Sequence, residues 1–220
     1  MIDLRALGDA AVLAYLPDEA AAQRFAAAAR AVDLPGRLDV VAAYASVAVY
    51  FDPGIASLAV VTETLRTLDA ADIAPAPEPR RHELPCCYEL NLDLARVAEH
   101  TGLNSEDVIR QHTSAEYTVY AIGFCPGFPY LGYLPPELCG VPRLPAPRLR
   151  VAPGSVGLTG RQTGVYPLER PGGWNLIGRT PLVLADPAAG YFPLRVGDRV
   201  RFRRIDEAEF LRMSGERLPA

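Results

Sequence analysis

The chain has 220 residues and a formal net charge of −4, and half of its residues are apolar. This composition is typical of a globular protein with one large or two small domains, and it argues against a disordered chain or a strongly basic nucleic-acid-binding one. All 22 basic residues are arginine, which excludes Schiff-base chemistry, a lysine general base and the P-loop lysine.

Targeting and metal-binding signals are missing from the sequence. No stretch approaches the roughly 20 apolar residues of a membrane span, and "MIDLRALGDA" lacks the basic and apolar regions of a signal peptide. We therefore expect a cytoplasmic protein that binds neither membranes nor nucleic acid. The four cysteines show no Cys-x-x-Cys spacing, so neither a zinc site nor a redox pair is predicted.

The first part of the chain repeats one pattern. "IDLRAL" and "AAVLAYL" flank Gly8-Asp9 as a hairpin, and Asp18 is placed to cap a helix. About 35 positions later "RLDVVAAY" and "SVAVYF" form a second hairpin, and a second helix, with Ile55 on its apolar face, is predicted to begin near Pro53. The repeat predicts an α+β domain of the ββαββα type, in which two helices cover one face of a four-stranded sheet.

A proline-rich segment, "ADIAPAPEPRR", separates this domain from the rest of the chain. Alternating prolines stiffen the backbone and cannot continue a helix. We assign residues 1–74 to the ββαββα domain, 75–82 to a linker and 83–220 to a second domain. That second domain opens with the strand "HELPCCY" and two short helices, the latter capped by Asn104 or Ser105.

The remainder of the second domain is predicted to form short strands separated by turns. The candidate strands are "EYTVYAIGF", "GVYPL", "WNLIG", "PLVLAD" and "DRVRFRRI". Short strands without intervening helices predict a closed or nearly closed antiparallel β-barrel. In the last strand Val200 and Phe202 alternate with arginines, which we interpret as a solvated barrel face, with an anion site as the alternative.

The loop "GFCPGFPYLGYLP", residues 123–135, is rich in aromatic residues held by proline. Such a loop is pre-shaped and suits recognition of a ligand or partner, although it would also serve as a hydrophobic plug over one barrel end. Within it Cys125 is a nucleophile candidate if His112 lies beside it as a base. The alternative for Cys125 is a small buried side chain in a turn.

The segment "VAPGSVGLTGRQTGVYPLERPGGWNLIGRT", residues 151–180, has a glycine spacing that fits neither a Walker A loop nor a Rossmann fingerprint. Glycine in a β-region marks bulges or a close approach by another group. The polar residues between the glycines would bind a small polar ligand or satisfy one another at a tight barrel corner. Residue types alone leave both interpretations open.

Four segments together resemble the PxpB/KipI family, which includes the B subunit of bacterial 5-oxoprolinase, allophanate hydrolase subunit 1 and the kinase inhibitor KipI. They are "HTSAEYTVYAIGFCPGFPYLGYLP", "PRLPAPR", "PGSVGLTGRQTGVYPLERPGGWNLIGRTPL" and "VGDRVRF". The resemblance implies a two-layer ββαββα first domain and an all-β, cyclophilin-like barrel with short helices. The departures are small: "APGSVG" and "CGVPR" differ from the usual family pattern.

The resemblance implies two functions of different classes. In the first, the chain is a subunit of an ATP-dependent 5-oxoprolinase, with ATP as a cosubstrate of the complex, and is inactive alone. Its partners would be a larger subunit resembling allophanate hydrolase subunit 2 (PxpC-like) and a LamB/YcsF-like subunit (PxpA-like). In the second, the chain is a KipI-like regulator that inhibits a sensor histidine kinase.

The matching motifs also imply candidate site residues. His112 is the candidate for acid or base work, with a hydrogen-bonded structural role as the alternative. Arg143 and Arg148 are candidates for binding a carboxylate or phosphate. The candidates for orienting the substrate are Ser155, Gln162, Thr163 and Tyr166. The single tryptophan, Trp174, would form an apolar wall or anchor the barrel core.

Overall fold

The computed structural model describes residues 2–68 and 78–219. The chain divides into two compact units, Met1–Glu78 and Pro79–Ala220. Residues 75–77 of the predicted linker lie outside the described part, while Arg81 and His82 already belong to the first strand of the second unit. None of the helices in the described ranges is long and apolar enough to cross a membrane.

The first unit has the predicted ββαββα order. Its elements are β1 (Asp3–Ala6), β2 (Ala11–Tyr15), α1 (Glu19–Ala31), β3 (Arg37–Ala43), β4 (Ser46–Phe51) and α2 (Leu58–Arg66). The four strands form an antiparallel sheet in the order β1-β2-β4-β3. Helix α1 packs on β3 and β4, and α2 packs on β1 and β2. This confirms the α+β fold predicted from the repeat.

Both helices of this unit start at a side-chain cap. The Asp18 carboxylate accepts a hydrogen bond from the backbone N–H of Ala21 at 2.7 Å. The expectation that α2 begins near Pro53 is wrong, because Asp52 first forms a turn and Ser57 is the residue that caps α2. Ile55, which was expected on the buried face of that helix, is 64% exposed in the turn.

The second unit contains nine strands and three α-helices within its described residues, with one turn of 3-10 helix at Pro136–Leu138. They are β5 (Arg81–Cys87), α3 (Leu94–Thr101), α4 (Ser105–Ser114), β6 (Glu116–Ile122), β7 (Pro129–Gly132), β8 (Arg148–Val151), β9 (Ser155–Thr159), β10 (Gln162–Val165), β11 (Arg170–Gly172), β12 (Asn175–Arg179), β13 (Arg199–Ile205) and α5 (Glu207–Met213). Seven strands close a barrel in the order β10-β7-β6-β13-β5-β12-β9, and β8 with β11 forms a separate two-stranded sheet. The predicted barrel with short helices is confirmed.

Three details of the barrel differ from the expectation. The barrel is not wholly antiparallel, because β13 runs parallel to β5. These two neighbouring strands are far apart in the sequence, so no hairpin sets their relative direction. The segment "PLVLAD" forms only isolated bridges, at Val183 and Asp186, because Val183 bonds the C-terminal segment instead. The aromatic segment at residues 123–135, described from the sequence as a loop, supplies strand β7.

Strand β13 shows the predicted alternation. Val200 and Phe202 are buried in the barrel core. On the outer face Arg203 binds Glu83 at 2.8 Å and Glu209 at 2.9 Å. These ion pairs favour the interpretation of a solvated barrel face over that of an anion site.

The cap of α1 generates a prediction about stability. Replacing Asp18 by alanine removes the acceptor for the Ala21 N–H and is expected to lower the free energy of unfolding by about 1 kcal/mol. Urea denaturation followed by circular dichroism measures the change. Asp33→Ala, at an exposed site beyond the end of the helix, is the matched control, and equal effects of both substitutions would contradict the capping role.

Candidate functional site

An aromatic cleft of about 260 Å³ opens on the barrel unit. Its lining residues are Phe124, Phe128, Tyr130, Arg143, Pro147, Tyr166, Pro171, Gly172, Gly173 and Trp174. They come from the proline-rich aromatic loop, the arginine segment that follows it and the glycine-rich segment. Half of these residues are aromatic and one is charged, so the cleft would hold an apolar group beside an anion.

Contacts between rings hold the cleft walls in place. Phe128 meets Trp174, Tyr166 and Tyr130 with ring centroids 5.5, 5.2 and 5.0 Å apart, each in an edge-to-face arrangement. This geometry places the positive ring edge against a negative ring face and stabilises each pair by about 0.5–1.5 kcal/mol. Phe124, which is 58% exposed, lies at the open side of the same cluster. The walls are therefore largely pre-organised.

A pair of glycines makes room for Trp174. Gly157 in β9 and Gly164 in β10 are directly opposite each other in the barrel. A Cβ on Gly164 would lie 3.1 Å from the Trp174 ring and 2.8 Å from the carbonyl oxygen of Pro129, and one on Gly157 would lie 3.2 Å from the Trp174 Cβ. Trp174 is 5% exposed and also lines the cleft, so it is both a buried anchor and an apolar wall.

Arg143 is the charged residue of the cleft. Its side chain is exposed and makes no ion pair or hydrogen bond with any residue in 2–68 or 78–219. Burial raises the pKa of Tyr130 and of Tyr166, and the nearby Arg143 charge lowers each by a smaller amount. Both phenols therefore stay protonated near neutral pH. Because Arg143 is exposed and has no partner in the described ranges, it is available to bind an anion.

Arg148, the second predicted anion-binding residue, has a partner within the protein. Its Nη2 donates to Asp93 Oδ1 at 2.7 Å, and Asp93 Oδ2 accepts from the backbone N–H of Leu176 at 2.7 Å. This ion pair connects β8 with the start of α3 and with β12. The buried Nη1 of Arg148 has no hydrogen-bond partner among the described residues. Arg148 does not line the cleft, and its role in substrate binding stays a prediction.

His112 lies inside the barrel core and is fully buried. Its Nδ1 is 2.6 Å from the Tyr88 hydroxyl, and its Nε2 is 2.9 Å from Oγ1 of Thr163. Because the Thr163 hydroxyl donates its proton to the Gly157 carbonyl, the network assigns the His112 proton to Nε2 and makes Nδ1 the acceptor for Tyr88. These contacts favour the structural role of His112 and Thr163 over acid–base work or substrate orientation.

The remaining candidates are not among the residues that line the cleft. Ser155 is buried at the start of β9, and Gln162 is half-buried at the start of β10. Cys125 belongs to the apolar cluster of Phe128 and Trp174, whereas the ring contacts of His112 are with core aromatic residues. The described geometry thus does not bring Cys125 and His112 together as nucleophile and base.

Of the predicted site residues, the structure brings Arg143, Tyr166 and Trp174 together in the cleft. Sequence reasoning missed Asp93, whose role depends on partners 55 and 83 positions away. No local signal could have identified it. Phe128 and Tyr130 were predicted only as members of the aromatic loop, and the signal was the aromatic and proline content of that loop.

The fold and the cleft define a two-domain protein whose barrel has a binding site of small-molecule size. The sequence profile of the carboxyltransferase domain, subdomain C and D, matches residues 2–192. The B subunit of 5-oxoprolinase from Escherichia coli O157:H7 is 45% identical over 179 residues, covering 80% of this chain and 81% of that protein. The corresponding B subunit from Bacillus subtilis strain 168 is 40% identical over 190 residues, covering 80% and 79%. The chain therefore belongs to the carboxyltransferase subdomain C and D family, in the PxpB/KipI group that its motifs resemble.

Solved structures show the same fold within longer chains. The crystal structure of TTHA0988 matches with a TM-score of 0.76 at 38% identity, over 89% of this chain and 39% of that one. Urea amidolyase of Kluyveromyces lactis matches with a TM-score of 0.77 at 18% identity, over 96% of this chain and 15% of that one. The first of these proteins is thus more than twice as long as the segment it shares with this chain, and the second shares the fold alone.

The burial of His112 predicts a specific pH dependence. Burial lowers the pKa of His112 from 6.5 to about 3. Between these values the unfolded chain binds a proton that the folded chain does not, so stability falls as the pH drops, by up to about 1.4 kcal/mol per pH unit. In His112→Gln, whose amide can replace both hydrogen bonds, this component is expected to vanish.

Chemical denaturation at about pH 7 and about pH 5 measures this difference. His100→Gln, at an exposed histidine of α3, should keep the pH dependence of the original chain. If the free energy of unfolding changes equally between the two pH values in the original chain and in His112→Gln, a neutral His112 in the core is contradicted.

The glycine pair generates a prediction about packing. Gly164→Ala places a methyl group against the Trp174 ring and the Pro129 carbonyl, and overpacking of this kind costs about 1–3 kcal/mol. We expect lower stability and a shifted Trp174 fluorescence emission. Gly123→Ala, whose Cβ would meet Tyr130 at an ordinary 3.8 Å, should leave both unchanged, and the packing argument fails if the two variants behave alike.

Proposed function

We propose that this chain is a subunit of an ATP-dependent 5-oxoprolinase complex, which opens 5-oxoproline to glutamate. The family membership supports the proposal, since two relatives that share four-fifths of this chain are named as B subunits of 5-oxoprolinase. The observation that carries it is the aromatic cleft with Arg143 as its one charged residue. A small ring with one carboxylate matches that arrangement.

The cleft suits 5-oxoproline by shape and by charge. Trp174 and Tyr166 line the cleft and provide apolar surface for the lactam ring. The planar guanidinium of Arg143 can bind a carboxylate through paired N–H donors. Tyr130 and Tyr166 remain protonated, so their hydroxyls can donate hydrogen bonds to ligand oxygens. Arg143 and the aromatic walls would therefore bind and orient the substrate.

The reaction explains why ATP is needed. The lactam nitrogen donates electrons into the carbonyl group, which makes that carbon a poor electrophile. ATP would supply activation by phosphorylating the carbonyl oxygen, after which a first water adds to the carbon and the C–N bond breaks. The acyl phosphate that this leaves would be hydrolysed by a second water, which releases phosphate. The nitrogen leaves as an amine and is protonated, and the products are glutamate, ADP and phosphate. ATP is a cosubstrate of the complex, and the proposal does not require this chain to bind it.

The proposal includes partner subunits. A larger subunit resembling allophanate hydrolase subunit 2 (PxpC-like) and a LamB/YcsF-like subunit (PxpA-like) would complete the enzyme, which we place in the cytoplasm. The naming of the relatives as subunits supports an assembly, as does the longer chain of TTHA0988. The alternative of a KipI-like kinase regulator rests on the family resemblance alone.

Reconstitution tests the proposed function. The purified chain is mixed with the two partner subunits, and glutamate formed from 5-oxoproline and ATP is measured. We expect turnover from the complete mixture and a rate at least about 100-fold lower when this chain is omitted. The chain alone should form no glutamate above background.

Two outcomes would contradict the proposal. A complete mixture that forms a complex but no glutamate would remove the 5-oxoprolinase assignment. Full turnover by this chain alone would remove the subunit role. Arg212→Gln, at an exposed residue of α5, serves as the matched variant that should leave turnover unchanged.

A further inference from the structure

The charges around the aromatic cleft are strongly asymmetric. Of its ten lining residues, all within the described part of the chain, Arg143 is the one that carries a charge. Two acidic residues that bind neighbouring arginines are already occupied: Asp93 by Arg148 and Leu176 N–H, and Glu169 by Arg150 at 2.9 Å. A cation in the cleft would meet a guanidinium and no carboxylate.

The tyrosines of the cleft do not supply the missing negative charge. Burial is the largest influence on the pKa of Tyr130 and Tyr166, and it raises both. Their hydroxyl groups are therefore neutral hydrogen-bond donors and acceptors near neutral pH. Aromatic faces attract cations, but the positive charge of Arg143 at the same site opposes that attraction.

The size and rigidity of the cleft limit the ligand further. Its volume of about 260 Å³ is below the range of about 300–1,000 Å³ that is usual for drug-sized ligands. Trp174 is fixed by the glycine pair, and Phe128 by its ring contacts with Tyr130, Tyr166 and Trp174. The walls therefore favour a small, compact ligand with an uncharged body and a single carboxylate.

We infer that the cleft separates the lactam from its ring-opened product by charge: it binds a small ring bearing one carboxylate and excludes the same skeleton with an ammonium group. This inference rests on the proposed function, which supplies the two molecules. The nitrogen of 5-oxoproline is a neutral amide, whereas in glutamate it is a charged ammonium and a second carboxylate is present. Arg143 pairs with the first carboxylate, but the ammonium would lose water without gaining a carboxylate partner.

This discrimination has a functional consequence. Ring opening converts a ligand that fits the charge of the cleft into one that does not, so the product is released as it forms. Free glutamate then competes poorly with 5-oxoproline for the site. The specificity resides in the absence of a carboxylate from the lining as much as in the presence of Arg143.

Trp174 provides a direct measurement, because it is the single tryptophan of the chain and lines the cleft. Its fluorescence is followed during titration of the full chain with 5-oxoproline, cyclopentanecarboxylate, 2-pyrrolidinone, proline and glutamate. We expect the two ring monoanions, 5-oxoproline and cyclopentanecarboxylate, to bind at least about tenfold more tightly than the ammonium-bearing proline and glutamate. 2-Pyrrolidinone, which lacks the carboxylate, should bind weakly.

Variants of Arg143 separate charge from shape. Arg143→Gln should weaken binding of both ring monoanions at least about tenfold and leave the weak binding of 2-pyrrolidinone unchanged. Arg143→Lys should restore part of the loss. Arg143 is exposed and unpaired within the described ranges, so its variants should keep the melting temperature of the original chain. Arg212→Gln is the control and should bind all five compounds as the original chain does.

Several results would overturn the inference. The first is equal affinity for glutamate and 5-oxoproline. The second is unchanged affinity for the ring monoanions in Arg143→Gln. The third is that neither ring monoanion binds to the isolated chain or, by calorimetry, to the reconstituted complex. An active complex whose Arg143→Gln variant is unaffected keeps the proposed function and removes this inference. An inactive mixture in which the isolated chain shows the expected discrimination removes the proposed function and keeps the charge-selective cleft.

Discussion

The close approach of Trp174 to the glycine pair connects the interior of the barrel with the cleft on its surface. Side chains of a strand alternate between its two faces, so Thr163 points into the core while the neighbouring Gly164 faces Trp174. Gly157 takes part on both sides, since its carbonyl accepts the Thr163 hydroxyl and its missing side chain admits the tryptophan. Strands β9 and β10 therefore position the core and the cleft together.

The buried His112 network extends this connection to the rest of the barrel unit. Tyr88 follows β5, His112 lies in α4, and Thr163 lies in β10. Each polar group in the network has a defined partner, which is the condition for placing such groups in an apolar core. The enclosure of the His112 imidazole and its two hydrogen-bond partners favour a contribution to the shape of the barrel over proton transfer with a ligand.

The arginines show how one residue type serves different purposes in one chain. Arg148 and Arg203 bind carboxylates of the protein itself, and these pairs connect elements that are distant in sequence. Arg143 is free of such a partner in the described ranges and faces an aromatic cleft. The availability of the guanidinium, and not its presence in the sequence, makes Arg143 rather than Arg148 the candidate for binding an anion in the cleft. The fold alone cannot assign a ligand, and the unpaired Arg143 among the aromatic residues of the cleft is the observation that supports the proposal of a small carboxylate.

Local patterns in the sequence determined the order of the elements in the first unit, the cap at Asp18 and the inward face of β13, because each depends on residues a few positions apart. The motifs were also sufficient for the family. Only the tertiary structure decided the parallel pairing of β13 with β5, the later start of α2, the cap of α4 at Asn104 rather than Ser105, and the contacts of His112 and Arg148. His112 meets Thr163 across 51 positions and Arg148 meets Asp93 across 55, and no local pattern encodes which distant groups will be brought into contact. Burial and pairing of polar side chains are set by the packing of the whole domain, so they could be read only from the folded chain.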